Sequence, residues 1–314
     1  MAYSTGGLIE ASDYNLLVGG STANVSGQLN TLWSTGYGNA GYGQSAISNV
    51  SVTGSVTATQ WSTLVGTVNA VRSHQSASFS NLSLYTVGTI INANNNISSN
   101  LTTAYTDRLS KGVGGTTVTG TVVSQTMDIP NQTTSASITL TRIATFASAD
   151  QARYFFNAGG ELRFYIASYT NTGGTTRGLA LGALALDGFG GKTLSAGNAS
   201  ARYGSGVVTV TTDLTTDNGY YSQTASQKTM TQLDGSTYGA QYSGDQLLFQ
   251  VNTDGAQGSN GDAGTTVTSV CTLTTGSQSP AFNDSVNLTV YYRMDVAYPP
   301  TAFLSNTWGA VTIS

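Results

Sequence analysis

The sequence has little charge of either sign. Only 8% of its 314 residues are Asp, Glu, Lys or Arg, whereas an average soluble domain has about 25%. The formal net charge is −4, and the 11 cations are scattered along the chain. A surface that binds nucleic acid needs clustered Lys and Arg. The sequence therefore predicts a protein with no nucleic-acid partner.

Cysteine and histidine are almost absent, since Cys271 and His74 are the only two such residues. A lone cysteine forms no intramolecular disulfide, and a zinc site needs several Cys or His ligands. A Ser or Cys nucleophile needs a base held beside it, and His74 falls in a different predicted domain from Cys271. We therefore predict that the protein is not an enzyme and has no catalytic, cofactor-binding or metal-binding residues.

Long hydrophobic runs are also missing. A transmembrane helix needs about 20 consecutive apolar residues, and the sequence contains no such run. The chain does not start with the positively charged and then apolar pattern of a secretory signal peptide. These two absences predict a protein that is made in the cytoplasm and is not inserted into a membrane.

Glycine and uncharged polar residues take the place of the charged ones, and glycine alone contributes 38 residues. The 17 Tyr, 9 Phe and 3 Trp supply material for a folded core. A chain close to neutrality tends to associate with itself, because neutral polar groups cost less to desolvate than ions do. The composition predicts a homo-oligomer, and a monomeric secreted β protein is the alternative.

Residues 1–110 predict a helical module with an internal repeat. Residues 11–19 match residues 58–66, with an aromatic residue in the fourth position and Leu-Val-Gly at the end of both copies. Thr57 and Gln60 have the capping-box spacing, and one apolar stripe at helical spacing follows them: Trp61, Leu64, Val65, Val68 and Val71. A similar stripe, with a kink or break at Gly19-Gly20, accompanies the first copy: Tyr14, Leu17, Val18, Val25, Leu29 and Leu32.

A third helix is predicted over residues 87–108. Its residues alternate three and four apart, as in the a/d seam of a coiled coil: Val87, Ile90, Asn94, Ile97, Leu101, Ala104 and Arg108. The seam fits either a helix that pairs with another copy of the chain or one helix of an intramolecular bundle.

The period of the pattern changes to two after a predicted linker at residues 111–115, so residues 116–314 predict an antiparallel β-sandwich or jelly-roll-like domain. With the helical module, the fold class is α+β with two domains, as the length also favours. Residues 152–156 and 161–166 read as two strands around a turn at 157–160. Further strands are predicted near residues 118–122, 138–143, 207–212, 246–252, 267–273, 286–297 and 311–313.

Three motifs suggest chemistry, and each has a simpler interpretation. The Gly/Tyr-rich segment 36–44 is a loop that uses positive φ angles, since it lacks the Lys-Ser/Thr of a phosphate loop. Residues 254–262 resemble a loose calcium loop without its bidentate Glu, which favours a surface loop. Aspartates beside glycine, as in Asp187-Gly188, are typical of turns, and a hydrolase with two carboxylates is a minor alternative.

Four short motifs resemble structural proteins in the virions of tailed bacteriophages, especially those that infect cyanobacteria. The motifs are Gly41-Tyr42-Gly43-Gln44, Thr57-Ala58-Thr59-Gln60-Trp61, His74-Gln75 and the segment Tyr154-Phe155-Phe156-Asn157-Ala158-Gly159-Gly160-Glu161-Leu162-Arg163. They occur in the order found in that group and cover both predicted domains. The resemblance implies a structural role in the virion and no catalytic residues.

The sequence and this resemblance together predict a non-enzymatic virion protein, made in the host cytoplasm, that forms a symmetric tail, neck or baseplate appendage. The alternatives are a capsid decoration protein and a carbohydrate-binding adhesin or receptor-binding module. The expected partners are copies of the chain, other virion proteins and a host surface glycan; no cofactor is expected. The low charge of residues 1–110 predicts that this module is the most buried part of the assembly, and that the aspartate-rich turns beyond residue 185 are the most exposed.

Overall fold

A computed structural model describes most of the chain, namely residues 10–20, 25–86, 94–112, 114–130, 135–197, 209–255, 264–277 and 284–314. Six α-helices and eleven β-strands lie in these ranges. The first four helices precede the first strand, and all strands belong to two antiparallel sheets. The predicted α+β class, with a small helical region followed by a β-rich part, is confirmed.

The helical region contains the predicted helices. They are α1 (Ala11–Val18), α2 (Leu29–Trp33), α3 (Ala58–Gln75) and α4 (Asn94–Thr106). The capping box at the start of α3 is present, since the Thr57 and Gln60 side chains each bond the other residue's backbone N–H. The whole apolar stripe of α3 is buried, so the prediction from its spacing is confirmed.

The two copies of the repeat meet through their aromatic positions. The ring centroids of Tyr14 and Trp61 lie 6.3 Å apart, and the Tyr14 hydroxyl donates to the carbonyl of Gln60. The predicted break occurs at Gly19, whose φ of +70° ends α1. Val25 departs from the predicted stripe, because it is 41% exposed.

Helix α4 packs within its own chain. Ile97, Leu101 and Ala104 of the predicted seam are buried and belong to the common core, and α4 contacts α3. For these three positions the intramolecular bundle is therefore the correct alternative. Val87 and Ile90 lie outside the described residues.

Extended segments on the helical region are held by asparagine side chains rather than by a β-ladder. One Asn amide donates to the carbonyl of a residue in the segment and accepts from the N–H of that same residue, at distances between 2.7 and 2.9 Å. We call this two-bond contact an amide clamp. It occurs between Asn15 and Val50, between Asn30 and Ile47, and between Asn69 and Leu82.

The β-rich part contains two sheets with two helices between their strands. The strands are β1 (Thr117–Val118), β2 (Val122–Ile129), β3 (Ala136–Thr145), β4 (Glu161–Asn171), β5 (Lys192–Leu194), β6 (Thr209–Asp213), β7 (Lys228–Asp234), β8 (Gln246–Thr253), β9 (Thr266–Thr275), β10 (Val286–Ala297) and β11 (Thr312–Ile313). The first sheet has the order β1-β10-β4-β5, with β2 also paired to β10, and the second has the order β11-β3-β9-β8-β7-β6.

The inner faces of the sheets share one core. The rings of Phe164 on β4 and Phe249 on β8 lie 5.1 Å apart, and the Tyr292 hydroxyl of β10 donates to Ser269 on β9. Burial alternates along β8 and along most of β10, as expected for strands with one face toward the core. The prediction of strands from two-residue alternation is confirmed for β3, β8, β9 and β10.

One predicted strand is interrupted. Residues 118–122 were expected to be continuous, but β1 ends at Val118 and β2 begins at Val122. Between them Gly120 approaches the backbone of Met294 so closely that a Cβ would clash with it, and its N–H donates to Asp295. This side-chain bond replaces one ladder bond, and the strand breaks there.

The predicted strand at residues 152–156 is wrong, because these residues belong to helix α5 (Ala149–Asn157). The Ser148 hydroxyl accepts from the N–H of Gln151 and caps the helix. Phe155 and Phe156 are both buried, so the aromatic run covers one face of a short helix rather than one face of a strand. The helix ends at a turn in which Gly159 has a φ of +85°.

A second helix, α6 (Thr176–Ala183), continues into a π-helical turn at Leu184–Gly188. It contains Arg177, which is fully buried and forms an ion pair of 2.7 Å with buried Asp245. The Asp187-Gly188 turn predicted from sequence lies inside this π-helical turn. The chain therefore connects β4 to β5 through helix rather than through a loop alone.

Candidate functional site

His74 and Cys271 occupy positions without access to a substrate. The His74 ring is buried, and its Nε2 lies 3.1 Å from the carbonyl oxygen of Ala158. Burial lowers the pKa of His74 to about 4, so the ring is neutral near pH 7. Cys271 is buried on β9, and burial raises the pKa of its thiol to about 12. Neither group is poised as a base or a nucleophile.

Six of the fourteen acidic side chains in the described residues are in ion pairs. They lie within 2.9 Å of a cation: Asp107, Asp150, Glu161, Asp213, Asp245 and Asp295. Burial alone would raise the pKa of Glu161, but hydrogen bonds from Lys111 and Arg163 outweigh it and hold the pKa below its ordinary value. Within the described ranges, no group of three or more His, Cys, Asp and Glu side chains could hold a metal ion.

The aspartate-rich turns have structural contacts. Asp254 accepts from the N–H groups of Thr265 and Thr266 and from the Thr265 hydroxyl. These bonds join the two sides of the segment that resembled a calcium loop. Residues 256–262 of that segment lie outside the described residues. Asp187, Asp217 and Asp254 are exposed, and Asp234 is half-buried.

The Gly/Tyr loop at residues 36–44 connects the helical region to the β-rich part. Four of its glycines have the predicted positive φ: Gly36, Gly38, Gly41 and Gly43. The guanidinium of buried Arg153 on α5 donates to the carbonyls of Thr35 and Ala40 at 2.8 and 3.1 Å. The Asn157 amide donates to the carbonyl of Gly41. Carbonyl oxygens in and beside the loop therefore accept hydrogen bonds from side chains of helix α5.

Three of the four motifs that resemble virion proteins meet at this loop. Gln75 donates to the Tyr42 hydroxyl at 3.0 Å, and the rings of Tyr42 and His74 meet edge to face at 5.3 Å. Gly43 packs so closely on the Tyr154 ring that a Cβ would clash with it. These three motifs therefore pack against one another at a single junction between the helical and β-rich parts. Because they lie far apart in the sequence, no short-range pattern could predict that they meet.

The C-terminal segment is part of the same junction. The Gln44 amide donates to the carbonyl of Ser305 and accepts from its N–H, both at 3.0 Å. Thr307 donates to the carbonyl of Tyr42 at 2.6 Å. This contact is a fourth amide clamp, made here by a glutamine instead of an asparagine. It joins residues 261 positions apart in the chain.

The predicted linker at residues 111–115 is anchored at its start. Lys111 donates to the carbonyl of Gly159 and pairs with Glu161 at 2.8 Å. The N–H of Gly112 donates to the carbonyl of His74 at 2.7 Å. The start of the segment therefore contacts both parts of the chain, and the domain boundary placed there stays a prediction.

The outer surface of the helical region combines exposed apolar side chains with very few charged residues, which is unusual for a surface in contact with water. Its exposed apolar side chains include Val52, Leu84 and Leu16, which are 89%, 59% and 50% exposed. Between Asp13 and Asp107 the sequence contains one charged residue, Arg72, whose side chain is 11% exposed. This part of the surface is therefore neutral and carries apolar side chains in contact with solvent. We call it the neutral surface.

No family model matches the chain, and no curated protein or solved structure matches it either. Among the residues described, no helix has the length and apolar character needed to cross a membrane.

Proposed function

We propose that the protein is a non-enzymatic structural subunit of a bacteriophage virion that assembles through its neutral surface. The assembly is a symmetric oligomer that forms a tail, neck or baseplate appendage. The observation that carries this proposal is the neutral surface itself, with Val52, Leu84 and Leu16 exposed on a region almost without charge.

Physical chemistry supports self-association at this surface. Burying exposed apolar area contributes about 25 cal/mol per Å², and a neutral surface adds no ion desolvation cost. Copies of the same chain also repel each other weakly, because the module has few charges. In this arrangement the helical region lies inside the assembly and the β-sandwich points outward.

The junction supports a structural role for the motifs that resemble those of virion proteins. The His74 side chain bonds to the carbonyl of Ala158, and the Asn157 side chain bonds to the carbonyl of Gly41, so both bonds cross between the helical and β-rich parts. The backbone carbonyl of Tyr42 accepts a third such bond from Thr307. Such contacts hold the two parts in one orientation. An appendage that carries mechanical load between a particle and its surroundings needs that rigidity.

The oligomeric state in solution tests the proposal. Size-exclusion chromatography with light scattering is expected to show an oligomer of the full chain, and Leu16→Asp or Leu84→Asp is expected to shift it toward monomer. Leu179→Asp is the matched control, because Leu179 lies on α6 of the β-rich part and is 49% exposed. A monomeric wild-type chain would count against assembly through this surface.

The virion assignment needs a separate measurement. Mass spectrometry of purified particles from the source phage is expected to detect the chain in stoichiometric amounts, and electron cryomicroscopy of the same particles is expected to place it on the tail, neck or baseplate. Density on the capsid faces would instead identify a decoration protein. Absence of the chain from the particles would refute the virion role, whatever its oligomeric state.

A further inference from the structure

The outer face of the first sheet has a row of hydroxyl groups across three strands. Tyr291 on β10 is paired in register with Ser124 on β2 and with Ser168 on β4. Two residues along, Thr289 is paired with Thr126 and Thr170. A β-bulge beside Tyr291 places the exposed side chains of Ser168 and Thr170 on this face.

Most of these hydroxyl groups are available to a ligand. In the described part of the chain, the side-chain hydroxyls of Ser124, Ser168, Thr170 and Tyr291 make no hydrogen bond, while Ser124, Ser168 and Thr170 are exposed and Tyr291 is half-buried. The half-buried Tyr291 ring is held by the sheet and still presents part of its surface to solvent. A ring in this state loses little conformational entropy when a ligand stacks on it.

The cations of this face have carboxylate partners. Arg293 lies 2.9 Å from Asp295, and Arg163 lies 2.8 Å from Glu161, which also pairs with Lys111. Asp128, two residues beyond Thr126 on β2, is exposed and adds a carboxylate to the same face. The Arg293 guanidinium also lies over the Tyr165 ring, 5.3 Å from its centroid. The face therefore has a fixed pattern of donors and acceptors, and its arginines are already balanced by carboxylates.

We propose that this face, centred on Tyr291 and its flanking serine and threonine hydroxyls, binds a neutral glycan. The apolar face of a sugar ring stacks on Tyr291, and the sugar hydroxyls exchange hydrogen bonds with Ser124, Ser168 and Thr170. The site goes beyond the structural role proposed above and does not depend on it, because it lies on the β-sandwich and not on the neutral surface.

A neutral glycan fits this face better than other ligands. An anionic ligand would need cations whose charge is not already balanced, and both arginines here have carboxylate partners. A protein partner would need apolar area at the centre of the contact, and the exposed apolar side chain here, Val122, stands on the edge strand. Uncharged hydroxyls around an aromatic ring complement a molecule that is itself rich in hydroxyls and has no charge.

Native affinity electrophoresis of the full chain tests the proposal, with soluble mannan, β-glucan, galactomannan or dextran in the gel and a glycan array for breadth. Retardation by at least one neutral polysaccharide is expected. Tyr291→Ala is expected to weaken that binding by about fivefold or more, since aromatic stacking contributes about 1 kcal/mol. Tyr37→Ala is the matched control, because Tyr37 is exposed on the Gly/Tyr loop and is not part of the first sheet, and it is expected to bind as the wild type does.

Two further variants separate stacking from folding. Tyr291→Phe keeps the ring and is expected to retain most of the affinity, whereas Ser168→Ala removes only an exposed hydroxyl and is expected to weaken binding by about threefold, the loss of one net hydrogen bond. Tyr291→Phe, Ser168→Ala and Tyr37→Ala are expected to melt at the wild-type temperature, while Tyr291→Ala, which loses a half-buried ring, is expected to melt lower and to stay folded at the assay temperature. Absence of any neutral-glycan binding by the wild type, or equal binding by wild type and Tyr291→Ala, would overturn the proposal. Binding confined to sulfated or sialylated glycans and lost in Arg293→Ala would overturn it as well.

Discussion

The helical region and the β-sandwich satisfy their buried polar groups in different ways. The helical region holds its extended segments with neutral amide clamps, such as the one between Asn69 and Leu82. The sandwich uses backbone ladders and adds buried ion pairs, such as the one between Arg177 and Asp245. The helical region is also poor in charge, so its surface costs little to desolvate, whereas most charged residues of the chain lie in the β-rich part. The difference is why we place assembly on the helical region and not on the sandwich.

The largest expected effect comes from removing the buried carboxylate of the sandwich. Asp245→Asn keeps the shape of the side chain but leaves the fully buried Arg177 guanidinium facing an amide. Breaking a buried pair on one side costs about 3–5 kcal/mol, so the free energy of unfolding in urea is expected to fall by that amount. A loss below about 1 kcal/mol would mean that this pair contributes no more than a solvent-exposed pair does. The sandwich would then not differ from the helical region in its dependence on buried charge.

The next largest effect concerns the pH dependence of stability at the junction. The unfolded chain binds a proton at His74 below about pH 6.5, whereas the folded chain does so only near pH 4, because burial depresses the pKa of this ring. The stability contributed by neutral His74 is therefore complete above pH 6.5 and is lost as the pH falls toward 4, by about 3 kcal/mol.

His74→Gln isolates this contribution, since glutamine has no proton to gain in that range and can still donate to the Ala158 carbonyl. Urea unfolding at pH 7, 6, 5 and 4.5 is expected to show a steeper loss for the wild type than for the variant. Parallel curves would mean that the ring is accessible to protons in the folded state. Carboxylates such as Glu161 titrate in both proteins and cancel in the difference.

A smaller effect is expected from breaking one amide clamp. Asn69→Ala removes two hydrogen bonds to the backbone of Leu82, each of which contributes about 1 kcal/mol. The free energy of unfolding is expected to fall by about 2 kcal/mol, and limited proteolysis is expected to cut faster within residues 79–86. Asn49→Ala is the control, because Asn49 is exposed on the comparable segment beside α1 and its side chain makes no hydrogen bond in the described residues. Equal proteolysis of both variants would show that the clamp does not hold the segment.

The smallest effect is expected for the ion pair of the helical region. Arg72 and Asp107 lie 2.8 Å apart, and the Asp107 side chain is 39% exposed. Asp107→Asn repeats the chemistry of Asp245→Asn at a solvated site, where such pairs contribute about 1 kcal/mol or less. A loss as large as that of Asp245→Asn in the same urea assay would show that the helical region also depends on charge.

Local patterns predicted most elements of the fold. The capping box at Thr57 and the stripe from Trp61 to Val71 predicted α3, because both signals lie within a few residues of each other. Two-residue alternation predicted β3, β8, β9 and β10 for the same reason. Helix α5 was missed although Ser148 and Gln151 have the capping-box spacing, because the aromatic run of residues 154–156 suggested a strand.

The candidate surfaces were less predictable. The low charge of residues 1–110 indicated a neutral module, but which apolar side chains stay exposed depends on packing, as Val25 and Val52 show. The row of hydroxyls around Tyr291 depends on strand register and on a bulge, neither of which the alternation of a single strand can define.

The sequence by itself determined most helix and strand types, the break at Gly19, the scarcity of chemistry-bearing residues and the uneven distribution of charge. These properties depend on residue type and on neighbours within a few positions. Only the tertiary structure decided that Tyr42, His74 and Asn157 form one junction, that the seam of α4 is closed within its own chain, and that Tyr291 lies between two serines. Each of these contacts joins residues far apart in the chain, and their meeting depends on how all the elements share one core.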